Sequence, residues 1–414
     1  MADKELVNPP FGPLQGVRIL SSGSLIAGPF GAELAAEMGA EVIQVERVGT
    51  GDRGWRQFGP MLPARAGLDP VSTTWAQERR NVFCVTLDPS LPRGREIFLK
   101  LAARAEIWIE NSKARTWDKW GLDDATVWAL NPQLVITHVS GFGQTGDPEF
   151  LKRPSYDYIG QAMGGIMDQT GFPDPHPPTR GAPWLGDYIT ALFSLWSSLA
   201  GLTYARATGK GQAIDLAQYE AIHRLLGGTM IEYFERGIIR ERLGNKARDF
   251  QPGDTFQCRD GWIVIAALAG EPYDNILRTL GLDPADDRWQ RARTQPDSPD
   301  GIEFDRRLRD WLRPLSVEHA VPTLNAMKVA SSPVLNARAM AEHPQYGARG
   351  VHVQWDDEVS GPIRGIGVIP RFSQTPGGIF RGSVPVGHDN HRVYRDLLGL
   401  GDAEIQQLQR EHII

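Results

Sequence analysis

Short hydrophobic runs bounded by glycine and proline alternate with stretches of helical spacing through the first half of the chain. "GVRILSS" is a short apolar strand, followed by the turn "GSLIAG" and the helical stretch "PFGAELAAEM". Pro29 suits the first helical turn and Gly39 the C-terminal stop. "AEVIQVER" then forms a second buried strand, so strand, helix and strand fit within about thirty residues, as in a βαβ unit. The alternation continues with "GREIFLKLAARA" as helix, "EIWIEN" as strand, "ATVWALNPQ" as helix and "LVITHVSGFG" as strand. A long apolar, small-residue run from Tyr188 to Ala205 predicts a helix, and "AIDLAQ" a further strand. This pattern predicts an α/β fold, with a doubly wound, parallel-sheet (Rossmann-like) large domain over residues 1–225.

Further on the texture changes. "DTFQCRDGWIVIAAL" signals a hairpin turning at Arg259-Asp260-Gly261, and "EPYDNILRTLGL" and "GIEFDRRLRDWLRPL" have helical spacing. A small α+β domain is expected over 226–330. Residues 331–414 are Gly- and Pro-rich before a closing helix in "VYRDLLGLGDAEIQQLQREH" and are expected to return to the large domain.

Composition narrows the function classes. With 414 residues, 41% hydrophobic and 23% charged, the chain has ample material for a buried core. A net charge of −6 gives no overall basic footprint for nucleic acid. The two cysteines, Cys84 and Cys258, are far apart and offer neither a disulfide framework nor a CxxC metal pattern. The N-terminus lacks a signal-peptide pattern, so a cytoplasmic protein is expected. The 188–205 run contains Thr190, Ser194, Ser197, Ser198 and Thr203, which fits a buried core helix better than a membrane span.

The first βα turn carries Gly23, Gly28 and Gly31, and this is not the G-x-G-x-x-G spacing of a dinucleotide site. Glu46 ends the second strand, where a ribose-binding acid would sit, and Arg47 follows it; a phosphate site and a surface ion pair both fit. Nine histidines are scattered without metal-site spacing, and His388 and His391 in "GHDNH" read as a solvated loop. In "SGFG" the serine, Ser140, precedes the first glycine, which rules out a hydrolase elbow. Asp187, in "APWLGDYITALF", heads the long apolar helix. As an N-cap it needs no further explanation. As a nucleophile it would have the helix N-terminus favouring its ionised form, with Trp184, Leu185 and Tyr188 keeping water away. Local pattern leaves both roles open.

The blocks "PLQGVRILSSGSLIAGPFGAELAAEMGAEVIQVER", "GREIFLKLAARAEIWIENS", "LNPQLVITHVSGFGQTG", "RPSYDYIGQAMGGIM" and "APWLGDY…ATGKGQAID" resemble, in order and spacing, the family III CoA-transferases of the CaiB/BaiF type. The resemblance runs over nearly the whole chain, and "RRNVF" and "DFQPGDTFQCRDGWIVI" place it nearest the members acting on carnitine-type acids. It implies an interlocked-ring homodimer and transfer of coenzyme A from an acyl-CoA to a small carboxylic acid. Neither a metal nor a permanently bound cofactor is implied. The catalytic aspartate falls on Asp187, which would pass through a mixed anhydride to an aspartyl-CoA thioester. Contacts to CoA carry over to Ala27, Arg47, Asn111, Lys113 and Lys119. Two positions depart from the family: Trp120 stands where an arginine is usual, and Val82 where many members have lysine, so Arg79 or Arg80 is expected to supply the charge.

Two other classes stay in competition. The α-methylacyl-CoA racemases share the fold and use a histidine in a "GHD" block; here the block reads "PSYD", with Tyr156, and an ordinary tyrosine with pKa about 10 is a poor base. A non-catalytic CoA-binding protein is the third. Trp184, Tyr188 and Trp55 fit either an aromatic cage for a quaternary ammonium or plain core packing, and dicarboxylic or aryl acids remain open as substrates.

Overall fold

The computed structural model describes residues 8–268 and 270–414. The chain divides into two units: one of residues up to Ile166 with Gly181–Gly228 and Ala348–Ile414, the other of Met167–Arg180 with Thr229–Gly347. The smaller unit thus takes in 167–180, which the sequence pattern had assigned to the large domain, and extends past 330 to Gly347.

The larger unit is built on a six-stranded sheet of β1 (Arg18–Ser21), β2 (Glu41–Glu46), β3 (Val82–Thr86), β4 (Ile107–Glu110), β5 (Val135–Ser140) and β6 (Ala213–Ala217). Their order is β3-β2-β1-β4-β5-β6 and every pairing is parallel. Near-continuous apolar strands are what a parallel sheet covered on both faces requires. Ile19, Val42, Ile107 and Val135 face one core, shared with Ala32, Ala35 and Ala36 of helix Pro29–Glu37 and with Leu202 and Ala205 of the long helix Leu185–Thr208. Leu20, Ile43, Trp108 and Ile136 face the other, shared with Phe98 of helix Pro92–Ala102 and with Tyr394, Ile405 and Ile413 near the C-terminus. The run from Tyr188 to Ala205 turns one face to the first of these cores, with Ala191, Ser198, Leu202 and Ala205 buried, while Leu192, Trp196 and Tyr204 on the other face are exposed, so the helix is not buried all round as the sequence pattern suggests. Among the described residues no helix is long and apolar enough to cross a membrane.

Polar residues inside these strands are paired. Arg18 bonds Glu41, Ser21 Oγ donates to Gln44 Oε1 (2.7 Å), and Arg56 forks onto both oxygens of Glu46 (2.9 and 2.7 Å). Glu46 is buried in this ion pair, not poised over a ribose and not joined to Arg47 at the surface.

The return segment carries the antiparallel hairpin of β10 (His352–Asp357) and β11 (Gly361–Ile366) and then closes the β3 edge. Asp389 accepts from Cys84 N (2.8 Å), Asn390 Oδ1 accepts from Thr86 N (2.8 Å), and Tyr394 donates to Thr86 O (2.7 Å). Side chains thus occupy backbone groups that an open edge strand would offer to another chain. In the "GHDNH" stretch His388 and His391 are exposed, as expected, His391 beside Asp402, while Asp389 and Asn390 between them are buried.

In the smaller unit β7 (Gly253–Gln257), β8 (Trp262–Ala266) and β9 (Ala330–Pro333) form an antiparallel sheet in that order. Phe256, Ile263 and Ile265 pack with Tyr273, Phe304 and Leu308 from the intervening helices. The expected hairpin is present, and β9 adds a third strand to it.

Asp389 is also paired with Arg381 (2.6 Å) and is 2% exposed. Asp389→Ala strands a buried guanidinium and the Cys84 amide. It is expected to cost about 3–5 kcal/mol, read as a lowered denaturant midpoint at unchanged slope.

Candidate active site

The strand order reverses between β1 and β4, where the loops leaving neighbouring strands turn to opposite faces and open a crevice at the strands' C-terminal ends. Asn111, just past β4, laces the two loops: its Oδ1 accepts from Ser24 N and its Nδ2 donates to Ser24 O, both at 2.8 Å. The next residue, Leu25, has φ of +60°, a conformation unfavourable for a branched side chain. It is gripped at both backbone groups, its N–H by Asp52 Oδ2 (2.8 Å) and its carbonyl by Arg79.

Two cavities share Ser24 and Asn111. The larger, about 460 Å³, is lined by Arg47, Arg53, Thr50, Gly51 and Ser112. The smaller, about 100 Å³, is lined by Ala27, Ser140, Ser155, Tyr156, Asp187 and Gln218.

Asp187 lies in the first turn of the Leu185–Thr208 helix and is not its cap. Trp184, at the cap position, supplies no side-chain cap. That task falls to Asp157, on helix Asp157–Met163, whose Oδ1 accepts from Gly186 N (2.8 Å) and Asp187 N (3.2 Å). The approach depends on Gly186, since a Cβ there would lie 2.9 Å from Ile222 and 3.1 Å from Asp157 Oδ1. Gln161 donates to Asp157 Oδ2 (2.8 Å) and accepts from Gly181 N (2.8 Å), tying the turn before the long helix to the same support.

Gln218 Nε2 donates to Asp187 Oδ1, and Gln218 Oε1 accepts from Ser155 Oγ (3.0 Å). Asp187 is 8% exposed. Burial, and then the negative charge of Asp157, push its carboxyl up to about 7, against the lowering effect of Gln218. The helix N-terminus was expected to favour the ionised form; burial and a second carboxylate outweigh it.

The remaining candidates are distributed unevenly. Ala27 shares the Asp187 cavity, Asn111 borders both cavities, and Arg47 lines the larger one. Lys113 and Lys119 are exposed on the segment after β4 and do not line either cavity. Arg80 is not brought to the crevice: it is buried, bonded to Glu37 and to the Ile366 carbonyl (2.6 Å), and sits over the Trp355 ring. Arg79 is equally buried and holds Leu25. Val82 lies inside β3, and Trp120 packs edge-on against Trp117.

Trp55 and Tyr188 do not face the small cavity. Tyr188 OH and Trp55 Nε1 (2.9 Å) donate to the two oxygens of the buried Glu78, and Tyr188 rests edge-on against Phe30. Trp184 instead packs edge-on between Phe58 and Tyr158. Ser140 Oγ accepts from Gly143 N (2.9 Å), a turn-forming role. His138 lies in another cavity between Glu110 (2.8 Å) and Asp124 (3.0 Å); burial alone would lower its pKa, but the two carboxylates push it up to about 10.

Sequence pattern missed Gln218, Ser155, Asp157 and Arg53. Asp157 stands beside Tyr156, which drew attention only as the counterpart of a histidine, and "AIDLAQ" carried no chemical signal for Gln218.

The family model for CoA-transferase family III matches residues 14–390. Bile acid CoA-transferase BaiK of Clostridium scindens is 35% identical over 413 residues, covering 98% of this chain and 90% of that protein. The L-carnitine CoA-transferase of Proteus mirabilis is 33% identical over 411 residues, covering 98% and 97%. A CAIB/BAIF family protein from Brucella suis superposes with a TM-score of 0.81 at 27% identity, over 94% of this chain and 100% of that one.

The raised Asp187 pKa has a thermodynamic signature. Its folded value of about 7 lies above the ordinary 3.8, so between them the folded protein binds more protons than the unfolded chain. Stability attributable to this group is full below the lower value and is lost as pH rises through the upper. Asp187→Asn removes the titration. Its stability relative to wild type should therefore climb from about pH 4 and level off by about pH 8, followed by urea midpoints; a pH-independent difference would contradict the assignment.

Proposed function

The chain belongs to CoA-transferase family III and is a CoA-transferase, and from that premise we propose that it moves coenzyme A from an acyl-CoA to a free carboxylic acid through a thioester on Asp187. One observation carries the proposal: a buried carboxylate with its pKa pushed up to about 7 opens into the cavity at the strand-order reversal. Its basicity makes it a better nucleophile than an ordinary aspartate, while a useful fraction stays ionised at neutral pH.

In this scheme an Asp187 oxygen attacks the thioester carbonyl and CoA leaves as thiolate, giving a mixed anhydride. The thiolate then attacks Asp187 Cγ, forming the aspartyl-CoA thioester and freeing the donor acid. The acceptor carboxylate runs the steps in reverse. Acylation also removes a buried negative charge from beside Asp157, relieving both the cost of burying that charge, the larger cause of the raised pKa, and the repulsion that adds to it. The acyl end of the substrate is assigned to the small cavity with Ala27 and Asn111, and the phosphates to the larger one, where Arg47 and Arg53 provide charge. Lys113 and Lys119 are proposed as outer contacts to the nucleotide end.

For the acid, we favour carnitine-type substrates: crotonobetaine, γ-butyrobetaine or carnitine. The support is the likeness to L-carnitine CoA-transferase and the Phe58–Trp184–Tyr158 aromatic run beside the first turn of the Asp187 helix. A short, dicarboxylic or aryl acid is the alternative within the same chemistry. A racemase finds no histidine among the residues lining the Asp187 cavity. Leu192 and Trp196, exposed on the long helix, support a second copy of the chain as partner.

Incubation with a panel of acyl-CoA donors should leave a CoA adduct on Asp187, visible by intact mass and cleaved by hydroxylamine. Asp187→Ala should show neither adduct nor acyl exchange above background; retained exchange would sink the assignment. Pairing the donors with carnitine, crotonobetaine, γ-butyrobetaine, succinate, oxalate and aryl acids identifies the acceptor. Solvent deuterium appearing at Cα without transfer would instead indicate a racemase.

The rate of adduct formation should rise with pH through about 7 and then plateau, as the attacking form is the ionised carboxylate. Rapid-quench measurement of the CoA adduct by intact mass against pH checks this; a flat profile between about pH 5 and 9 would contradict it.

A further inference from the structure

The two oxygens of Asp187 are treated differently by the fold. Gln218 Nε2 donates to Oδ1, while among the described residues Oδ2 takes no hydrogen bond. Gln218 is 4% exposed and begins the helix Gln218–His223 immediately after β6. Its carboxamide is held from two sides. Ser155 Oγ donates to Oε1 (3.0 Å), and Gly160 sits so close that a Cβ there would fall 2.6 Å from Gln218 Cδ. An ionised Asp187 can only accept, so the amide must turn its NH₂ end towards it. The donor is therefore in place, desolvated and oriented before any substrate reacts.

We propose that Gln218 is the oxyanion donor for every step in which the Asp187 carbon itself is attacked, a role that rests on the aspartyl-thioester function proposed above. The unbonded oxygen, Oδ2, is the one that attacks the acyl-CoA and becomes the bridging oxygen of the anhydride. Oδ1 becomes the carbonyl oxygen. When the CoA thiolate bonds to Cγ, the Cγ–Oδ1 π pair moves onto Oδ1, and the single negative charge passes from sulfur to that oxygen. Collapse re-forms Cγ=Oδ1, breaks the Cγ–Oδ2 bond and releases the donor acid as its carboxylate. No proton is transferred. Acceptor attack on the thioester again builds charge on Oδ1, and CoA thiolate departs. Throughout, the Gln218 N–H points at the atom where charge develops, which is the geometry that makes such donors effective.

This role separates two half-steps. Formation of the anhydride puts charge on the substrate's carbonyl oxygen, beyond Gln218; capture of the anhydride by thiolate puts it on Oδ1. Gln218→Met keeps the length and bulk of the side chain and removes the donor. In single turnovers with an acyl-CoA that labels the wild type, Gln218→Met is expected to form the aspartyl-CoA adduct about 10²–10³-fold more slowly. Free thiol should still be released as uncaptured anhydride hydrolyses, so thiol released per adduct should rise at least about tenfold. Acyl-CoA affinity, by calorimetry on Asp187→Ala backgrounds with and without the change, should stay within about threefold. An adduct rate close to wild type would overturn the proposal, and so would thiol release and adduct falling in equal proportion, which is what a purely structural role predicts. Should the methionine variant fail to fold by thermal melt, Ser155→Ala decides. Loss of its anchor on Oε1 should raise the same ratio, and an unchanged ratio would overturn the proposal. If the wild type itself acquires no adduct from any donor, it is the aspartyl-thioester function that fails, and the Gln218 assignment falls with it.

Discussion

The acceptance of two helix N–H groups by Asp157 is the interaction from which the properties of the site follow. A helix start inside a protein must have its amides satisfied, and Trp184 at the cap position does not do so with its side chain. A carboxylate from the helix Asp157–Met163 takes the task instead, so the first turn of the long helix is set by another element. Gly186 allows the approach, and Gln161 extends the support to the Gly181 turn. The same contact brings a second negative charge beside Asp187, and with burial this raises its pKa. Asp157 thus sets the position of the Asp187 carboxylate, whose raised pKa comes first from burial and then from that same neighbouring charge.

The facing wall of the crevice is held with similar redundancy. Asn111 binds both backbone groups of Ser24, while Asp52 and Arg79 hold those of Leu25. A left-handed leucine is costly, and it persists here because the surroundings over-determine it. Arg79 therefore spends its charge on the loop and Arg80 on Glu37 and Ile366, deep in the fold. Both arginines of the "ERRN" stretch serve the architecture of the crevice rather than its ligand.

Aromatic residues near Asp187 divide in the same way. Trp55 and Tyr188 saturate the two oxygens of Glu78, a buried carboxylate whose pKa is raised chiefly by its burial. Trp184 joins Phe58 and Tyr158 in an edge-to-face run. Three aromatics that were equivalent in the sequence have two different employments, because hydrogen-bond partners lie far along the chain.

What the sequence determined by itself was whatever depends on neighbours along the chain. Short strands rich in Val, Ile and Trp, such as "EVIQVE" and "IWIE", fit strands buried on both faces, and the intervening helical spacing required crossovers, so a doubly wound parallel sheet was legible in advance. Asp187 stood out as the acid at the head of the longest apolar helix, and the motif spacing named its family. Tertiary structure decided everything that rests on residues brought together from distant segments. It moved the helix cap from Asp187 to Asp157, thirty residues away, and delivered Gln218 from beyond the sixth strand onto Asp187. It withdrew Arg80 into an ion pair and turned Asp389 and Asn390 inward to close a sheet edge. Periodicity records which face of an element is buried, but not which partner it meets there; hydrogen bonds and pKa shifts are properties of the meeting.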